Sequence, residues 1–184
     1  MYTTGDDWSR FKKPFHLRCF EVLRSTTLKN AKEVLTGTPR SCTANFIVGQ
    51  AQNTVIDIEL APDIYVQLSP QGGVLSHANH FTDPDSAEII EPPNPRRCLS
   101  KFRHERMETL LNERKPLDLA GIQKILKDHE NHPQSICRHP DPSLPSEQHI
   151  VTKTGVIMDL DERKLWLTNG NPCKNEFTEY SLLN

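Results

Sequence analysis

Residues 43–78 read TANFIVGQAQNTVIDIELAPDIYVQLSPQGGVLSHA, and this stretch decides the fold. Residues 43–48 have the β-branched and aromatic content of a strand, and Gly49 to Asn53 supply turn residues. Residues 54–60 alternate: Ile56, Ile58 and Leu60 point to one face, and Val55, Asp57 and Glu59 to the other. Ala61-Pro62-Asp63 makes a short turn, after which Ile64, Val66 and Leu68 alternate again. Gly72-Gly73 turns the chain once more, toward a last strand at 74–78. Each connection is too short for a parallel crossover, so the stretch predicts a four-strand antiparallel meander.

Helical periodicity lies on both sides of it. Pro14 can open a helix because its missing N–H would have no partner in the first turn; Leu17, Phe20 and Leu23 follow at helical spacing. Thr26 or Thr27 can cap a second helix with Leu28, Ala31 and Leu35 on one face, ended by Gly37 and Pro39. Beyond the meander, residues 82–98 are proline-rich and read as a loop. A helix with Phe102, Met107, Leu110 and Leu111 on a broad face comes next, then one capped by Asp118 with Leu119, Ile122, Ile125 and Leu126 as its buried stripe. A second proline-bearing loop, 131–147, leads to strands near 149–159 and 163–168, joined at Leu160-Asp161-Glu162, and to a last strand near 176–182. Helices, strands, helices, strands in that order predict an α+β layered domain rather than a doubly wound sheet. Residues 1–13 read as an irregular N-terminal segment and 14–184 as the domain.

Composition narrows the function. With 184 residues, 25% charged side chains and a net charge of −2, the chain lacks the basic excess that nucleic-acid binding needs. The local cluster Arg96, Arg97, Lys101, Arg103 and Arg106 reads first as a solvated helix face, and second as a phosphate-binding patch. No apolar run approaches the roughly 20 residues of a membrane span, and the start lacks the basic and apolar regions of a secretory signal. The five cysteines (Cys19, Cys42, Cys98, Cys137, Cys173) form no Cys-x-x-Cys pair, which argues against a zinc site or a disulfide framework and for reduced thiols inside the cell, in the cytoplasm by default. His77 with His80, and His129 with His132, have a two-residue spacing that suits a metal, but no third ligand is evident. The first pair falls on the expected strand end, where residues three apart point to opposite faces. No metal and no cofactor are expected.

Several segments in order resemble the acyl-coenzyme A:isopenicillin N acyltransferase-like family of cysteine-nucleophile Ntn hydrolases. They are Ser41-Cys42-Thr43-Ala44-Asn45-Phe46-Ile47-Val48, Asp57 to Pro62, Leu75-Ser76-His77-Ala78-Asn79-His80-Phe81, Arg103 to Leu111, His132 to Arg138, and Gly170-Asn171-Pro172-Cys173 with Phe177 beyond. No one segment is specific; their colinearity from about Pro14 onward carries the resemblance. It implies a partial αββα sandwich of antiparallel sheets with outer helices. It also implies a precursor that cuts itself before a cysteine, whose thiol then attacks an amide or thioester carbonyl and whose new amine is the general base.

Three residues are candidates on that footing. Asn79 would bind the oxyanion, since a positioned amide N–H stabilises the charge that develops on the carbonyl oxygen; a plain strand-ending asparagine is its alternative. Arg138 matches the place where the family keeps an arginine beside the nucleophile, and could orient a carboxylate; an exposed loop arginine is the equal alternative. Glu59 lies on the face opposite Ile58 and Leu60, against another layer or in a cleft, with a structural ion pair as its alternative. Cys42 sits in a Cys-Thr context like the family's nucleophile, but it leads into a strand that resembles an internal family strand, and Asn79 follows too soon. The nucleophile, its cleavage site, the first strands and the aspartate after the nucleophile have no counterpart here. The expectation is therefore the C-terminal portion of a self-processing enzyme, inactive alone, acting on a small-molecule amide or acyl-thioester with the N-terminal segment of its own precursor as partner. The alternative is a non-catalytic remnant that binds.

Overall fold

The structure, a computed structural model, describes Ser9 and residues 13–37, 39–40, 42–82, 84–85, 89–113 and 116–182. The expected irregular segment 1–13 lies outside the described residues except for Ser9 and Lys13, and Ser41 lies outside them too. Among the described residues the chain forms four α-helices and two three-stranded antiparallel sheets, so the α+β expectation holds. It divides into two compact units, Met1–Arg97 and Cys98–Asn184.

The first unit opens with α1 (Phe15–Leu23) and α2 (Leu28–Thr36). Pro14 is the N-cap of α1, and Thr27 caps α2 by accepting a hydrogen bond from the Asn30 N–H at 3.1 Å. The apolar stripe that marks α1 in the sequence stays exposed, at 45% for Leu17, 52% for Phe20 and 84% for Leu23; the residue it buries is Arg18. The reason lies in α2, whose last carbonyls have no helical partners. The Arg18 guanidinium donates to the Val34, Leu35, Gly37 and Pro39 carbonyls at 2.6–3.2 Å and puts positive charge at the negative end of the helix.

Strands β1 (Ala44–Gln50), β2 (Thr54–Leu60) and β3 (Tyr65–Leu68) pair in sequence order. The register sets Asn45 opposite Glu59 and Phe46 opposite Ile58. Since side chains alternate, one face carries Phe46, Ile58 and Leu60 onto Leu35 of α2. Burying Leu35, Ile58 and Leu60 contributes roughly 1.5–3 kcal/mol each. The other face carries Asn45, Asp57 and Glu59. The fourth strand expected at 74–78 does not form. Gly72 (φ 56°) and Gly73 (φ 79°) close a tight turn in which Gln71 and Val74 exchange backbone hydrogen bonds at 2.8 and 3.0 Å, and pairing ends at that isolated bridge. Residues 75–82 instead run as an irregular segment.

In the second unit α3 (Arg97–Glu113) leads to α4 (Leu119–Leu126), capped by Asp118, whose Oδ1 accepts from the Gly121 N–H at 2.7 Å. Arg106 of α3 grips Asp128, just beyond α4, with a shortest contact of 2.7 Å. Burial pushes the Asp128 carboxyl up, but the Arg106 hydrogen bond and the Glu130 N–H outweigh it and hold it below the usual range. The second sheet comprises β4 (Val156–Asp159), β5 (Lys164–Thr168) and β6 (Phe177–Ser181) in sequence order. The strand expected from 149 starts only at 156. Upstream of it two side-chain bonds stand in for the ladder, with Thr154 Oγ1 donating to the Thr168 carbonyl and the Gly155 N–H donating to Thr168 Oγ1, while the Thr152 backbone N–H turns aside to the Arg138 carbonyl.

Candidate active site

The polar face of the first sheet holds a buried charge cluster. Asp57 and Glu59 are each 0% exposed. Glu59 Oε1 accepts two hydrogen bonds, from His77 Nε2 and from the Thr82 N–H, both at 2.7 Å. His77 Nδ1 lies 2.6 Å from the Ala78 carbonyl, which can only accept, so this nitrogen carries a proton. Nε2 faces a carboxylate and carries one as well. His77 is therefore an imidazolium bound to Glu59, with Asp57 Oδ2 4.0 Å from the same nitrogen. Burial works against the charged ring, but the Glu59 hydrogen bond and the Asp57 and Glu59 charges outweigh it and hold the His77 pKa above its ordinary value. Asp57 is pushed up to about 6, chiefly by burial, with the His77 charge and the Asn45 side chain acting in the opposite sense.

This cluster fixes the segment from residue 77 to residue 82. Glu59 clamps both of those residues to the C-terminal end of β2, and Asn79 stands between the two anchors. Asn79 is exposed and, with Ala44, Asn45, Ile47, His77 and Ala78, lines an open cleft of about 260 Å³. It is presented by a bolted irregular segment, not by the end of a fourth strand. His80 is 5% exposed and its ring stacks on His77 with centroids 6.4 Å apart, so the opposite-face argument for that pair fails along with the strand it assumed.

Arg138 belongs to the second unit. Its backbone is held from both sides: its N–H donates to Thr152 Oγ1 at 2.9 Å, and its carbonyl accepts from Asn171 Nδ2 at 2.8 Å. Burial, then the Arg138 charge, lower the Arg103 pKa to about 10, so two guanidinium groups face one neighbourhood. Of the basic cluster, Arg97 pairs with Glu91, Arg103 donates to the Leu99 carbonyl and Arg106 binds Asp128, so for these three the expected solvated face gives way to local pairing. The structure thus joins Glu59 to the Asn79 cleft through His77. Sequence reasoning missed His77 as the partner of Glu59; the one available signal was a glutamate at an inward-facing position, which demands a buried cation or donor.

In the first unit a buried ion pair thus holds an asparagine at the edge of an open cleft. Comparison with protein families matches residues 19–174 to acyl-coenzyme A:6-aminopenicillanic acid acyl-transferase. The chain belongs to that family. No curated protein matches it. Among the described residues no helix is long and apolar enough to cross a membrane.

Proposed function

We propose that residues 14–184 are the C-terminal part of a self-processing cysteine Ntn hydrolase and form the oxyanion-binding side of its acyl-transfer site. A cysteine thiolate attacks the carbonyl carbon of a small-molecule amide or thioester. A C–S bond forms, the carbonyl oxygen takes the negative charge, and the Asn79 amide N–H donates to it. Collapse expels the amine, which takes up a proton, or the thiol, and leaves an acyl-enzyme. Water or an acceptor amine then removes the acyl group. Glu59 acts as a positioning residue, through His77 and the Thr82 N–H; Arg138, in the second unit, is a separate candidate for binding a substrate carboxylate.

One observation carries this reading: Glu59 clamps both ends of the segment that presents Asn79 to the cleft. The nucleophile is assigned to a segment other than these residues, because none of the six residues lining the cleft is a cysteine and Cys42 leads into β1. The chain alone is then catalytically silent, and the enzyme works where thiols stay reduced. The same observation favours a second reading, a non-catalytic binding domain built on the same cleft.

The test starts upstream of Met1 in the message, where an in-frame Cys-Thr cleavage site is expected. In protein that includes it, Asn79→Ala is expected to lower kcat about 10²–10³-fold, while Cys42→Ser leaves turnover and self-cleavage intact. An unchanged kcat in Asn79→Ala, or thioester turnover by the isolated chain, sinks the proposal. A message that begins at Met1 gives the field to the binding domain.

A further inference from the structure

We propose that His129, Cys137, His139 and Cys173 form a site for one tetrahedrally bound divalent cation of the zinc class. One ligand-capable atom from each of the four lies within 4.8 Å of those of the other three. The third and fourth ligands that the His129–His132 spacing lacked come from the loop after it and from the turn before β6, and the ligand on that side is His139 rather than His132.

The geometry favours a shared centre over mutual hydrogen bonds. His139 Nε2 is 3.0 Å from His129 Nε2, 3.4 Å from Cys173 Sγ and 3.7 Å from Cys137 Sγ. One imidazole nitrogen has one donor or acceptor direction. It cannot satisfy three heteroatoms in three directions, but it can point with them at one ion. Zinc bonds of about 2.3 Å to sulfur and about 2.0–2.1 Å to nitrogen give tetrahedral edges of about 3.3 Å between nitrogens and about 3.6 Å between nitrogen and sulfur. The three observed separations fall within about 0.3 Å of those edges. Two thiolates and two neutral imidazoles balance a dication and make a closed, structural ligand set.

The surroundings suit the same reading. Cys137 is 0% exposed while His129 is exposed, so the site has a buried anchor and an open side for entry. Asn171 Nδ2 lies 3.9 Å from Cys137 Sγ, placed to donate to a thiolate, and the Cys137 N–H is held by the Asp128 carbonyl at 3.1 Å. Residues 129–155 contain no strand and only one short 3₁₀ turn, Ser146–Gln148. A metal would add a second tie between this loop and the turn at Asn171–Lys174, beside the Asn171–Arg138 hydrogen bond.

The experiment uses the full chain, purified under reducing conditions and stripped of metal. Titration with Co²⁺ is expected to give the visible absorption of tetrahedral cobalt and a near-ultraviolet thiolate band, saturating at one ion per chain and displaced by Zn²⁺. Cys137→Ser and Cys173→Ser are expected to remove the thiolate band in part and together entirely; His129→Ala, at an exposed position, weakens binding without threatening the fold. His132→Ala and Cys98→Ser leave the spectrum unchanged. Circular dichroism identifies any variant that fails to fold. The proposal is overturned by a folded chain that shows no tetrahedral spectrum, by a spectrum that survives the double cysteine variant, by dependence on His132, or by a Cys137–Cys173 disulfide in place of metal binding.

Discussion

The two units gather histidines in opposite ways. In the first, His77 meets the carboxyl groups of Glu59 and Asp57 on the face of a sheet, and the imidazolium offsets the charge of Glu59 at 2.7 Å and, more weakly, that of Asp57 at 4.0 Å. In the second, His129 and His139 meet the thiols of Cys137 and Cys173 in a loop, where every group is a donor to a cation and none is one. An imidazole in a protein is therefore defined by its neighbours: oxygen anions make it a fixed cation, whereas soft lone pairs make it one ligand among several. The first cluster positions a chain segment; the second turns four ligand-capable atoms toward one another, which suits an ion.

That contrast can be broken by experiment, and the largest effect is expected at Glu59. Glu59→Gln leaves a buried imidazolium with half its compensation and should cost about 3–5 kcal/mol in urea unfolding. Adding His77→Gln should recover much of that loss, because the orphaned charge is gone. If the double variant is no better than the single one, the His77 charge is not what Glu59 compensates.

Asp57 sharpens the same point through pH. Its folded pKa lies above the ordinary value of 3.8, at about 6. A carboxyl raised on folding favours the folded state fully below its unfolded pKa, and that contribution is lost as pH rises through the folded one. Stability should therefore fall between about pH 4 and 6 from this group. The shift is worth about 3 kcal/mol. Asp57→Asn should flatten the profile in that window; an unaltered slope would assign the pH dependence elsewhere. His77, also raised, contributes stability below its ordinary value and loses it above the folded one, so it extends the decline toward neutral pH.

Smaller effects serve as controls. Thr27→Ala and Asp118→Ala each remove one helix N-cap, one per unit, and each should cost about 1 kcal/mol. Unequal costs would show that one helix depends more heavily on its packing. Smallest of all, His129→Ala in metal-free protein should stay within about 0.5 kcal/mol, since the residue is exposed and the neighbouring Asp128 carboxylate is held chiefly by Arg106. A large loss without metal would mean that the second cluster closes on itself like the first.

The parts legible in the sequence were those governed by short-range period and end chemistry. The alternation at 54–60 gave the β2 faces, so Ile58 and Leu60 went to the core and Glu59 to the opposite side. Thr27 and Asp118 announced their helices because a side-chain oxygen before an apolar period satisfies orphan N–H groups. Asn79 stands on a different support from the one its strand-like context suggests. The period continues past Gly73, while the pairing does not, because bridge formation at Gln71 and Val74 ends the ladder.

From the sequence by itself came the α+β order, two capped helices, the β1–β2 hairpin and the family resemblance, all of which rest on neighbours a few positions apart or on colinear segments. Tertiary structure alone decided that Arg18 would be buried on the end of α2, that His77 would lock onto Glu59, and that Cys173 would come to His139 across 34 positions. A periodic pattern fixes which way a side chain points within its own element. The path of an irregular loop has no period, so which buried polar groups meet is settled only when the loop folds and each must find a partner.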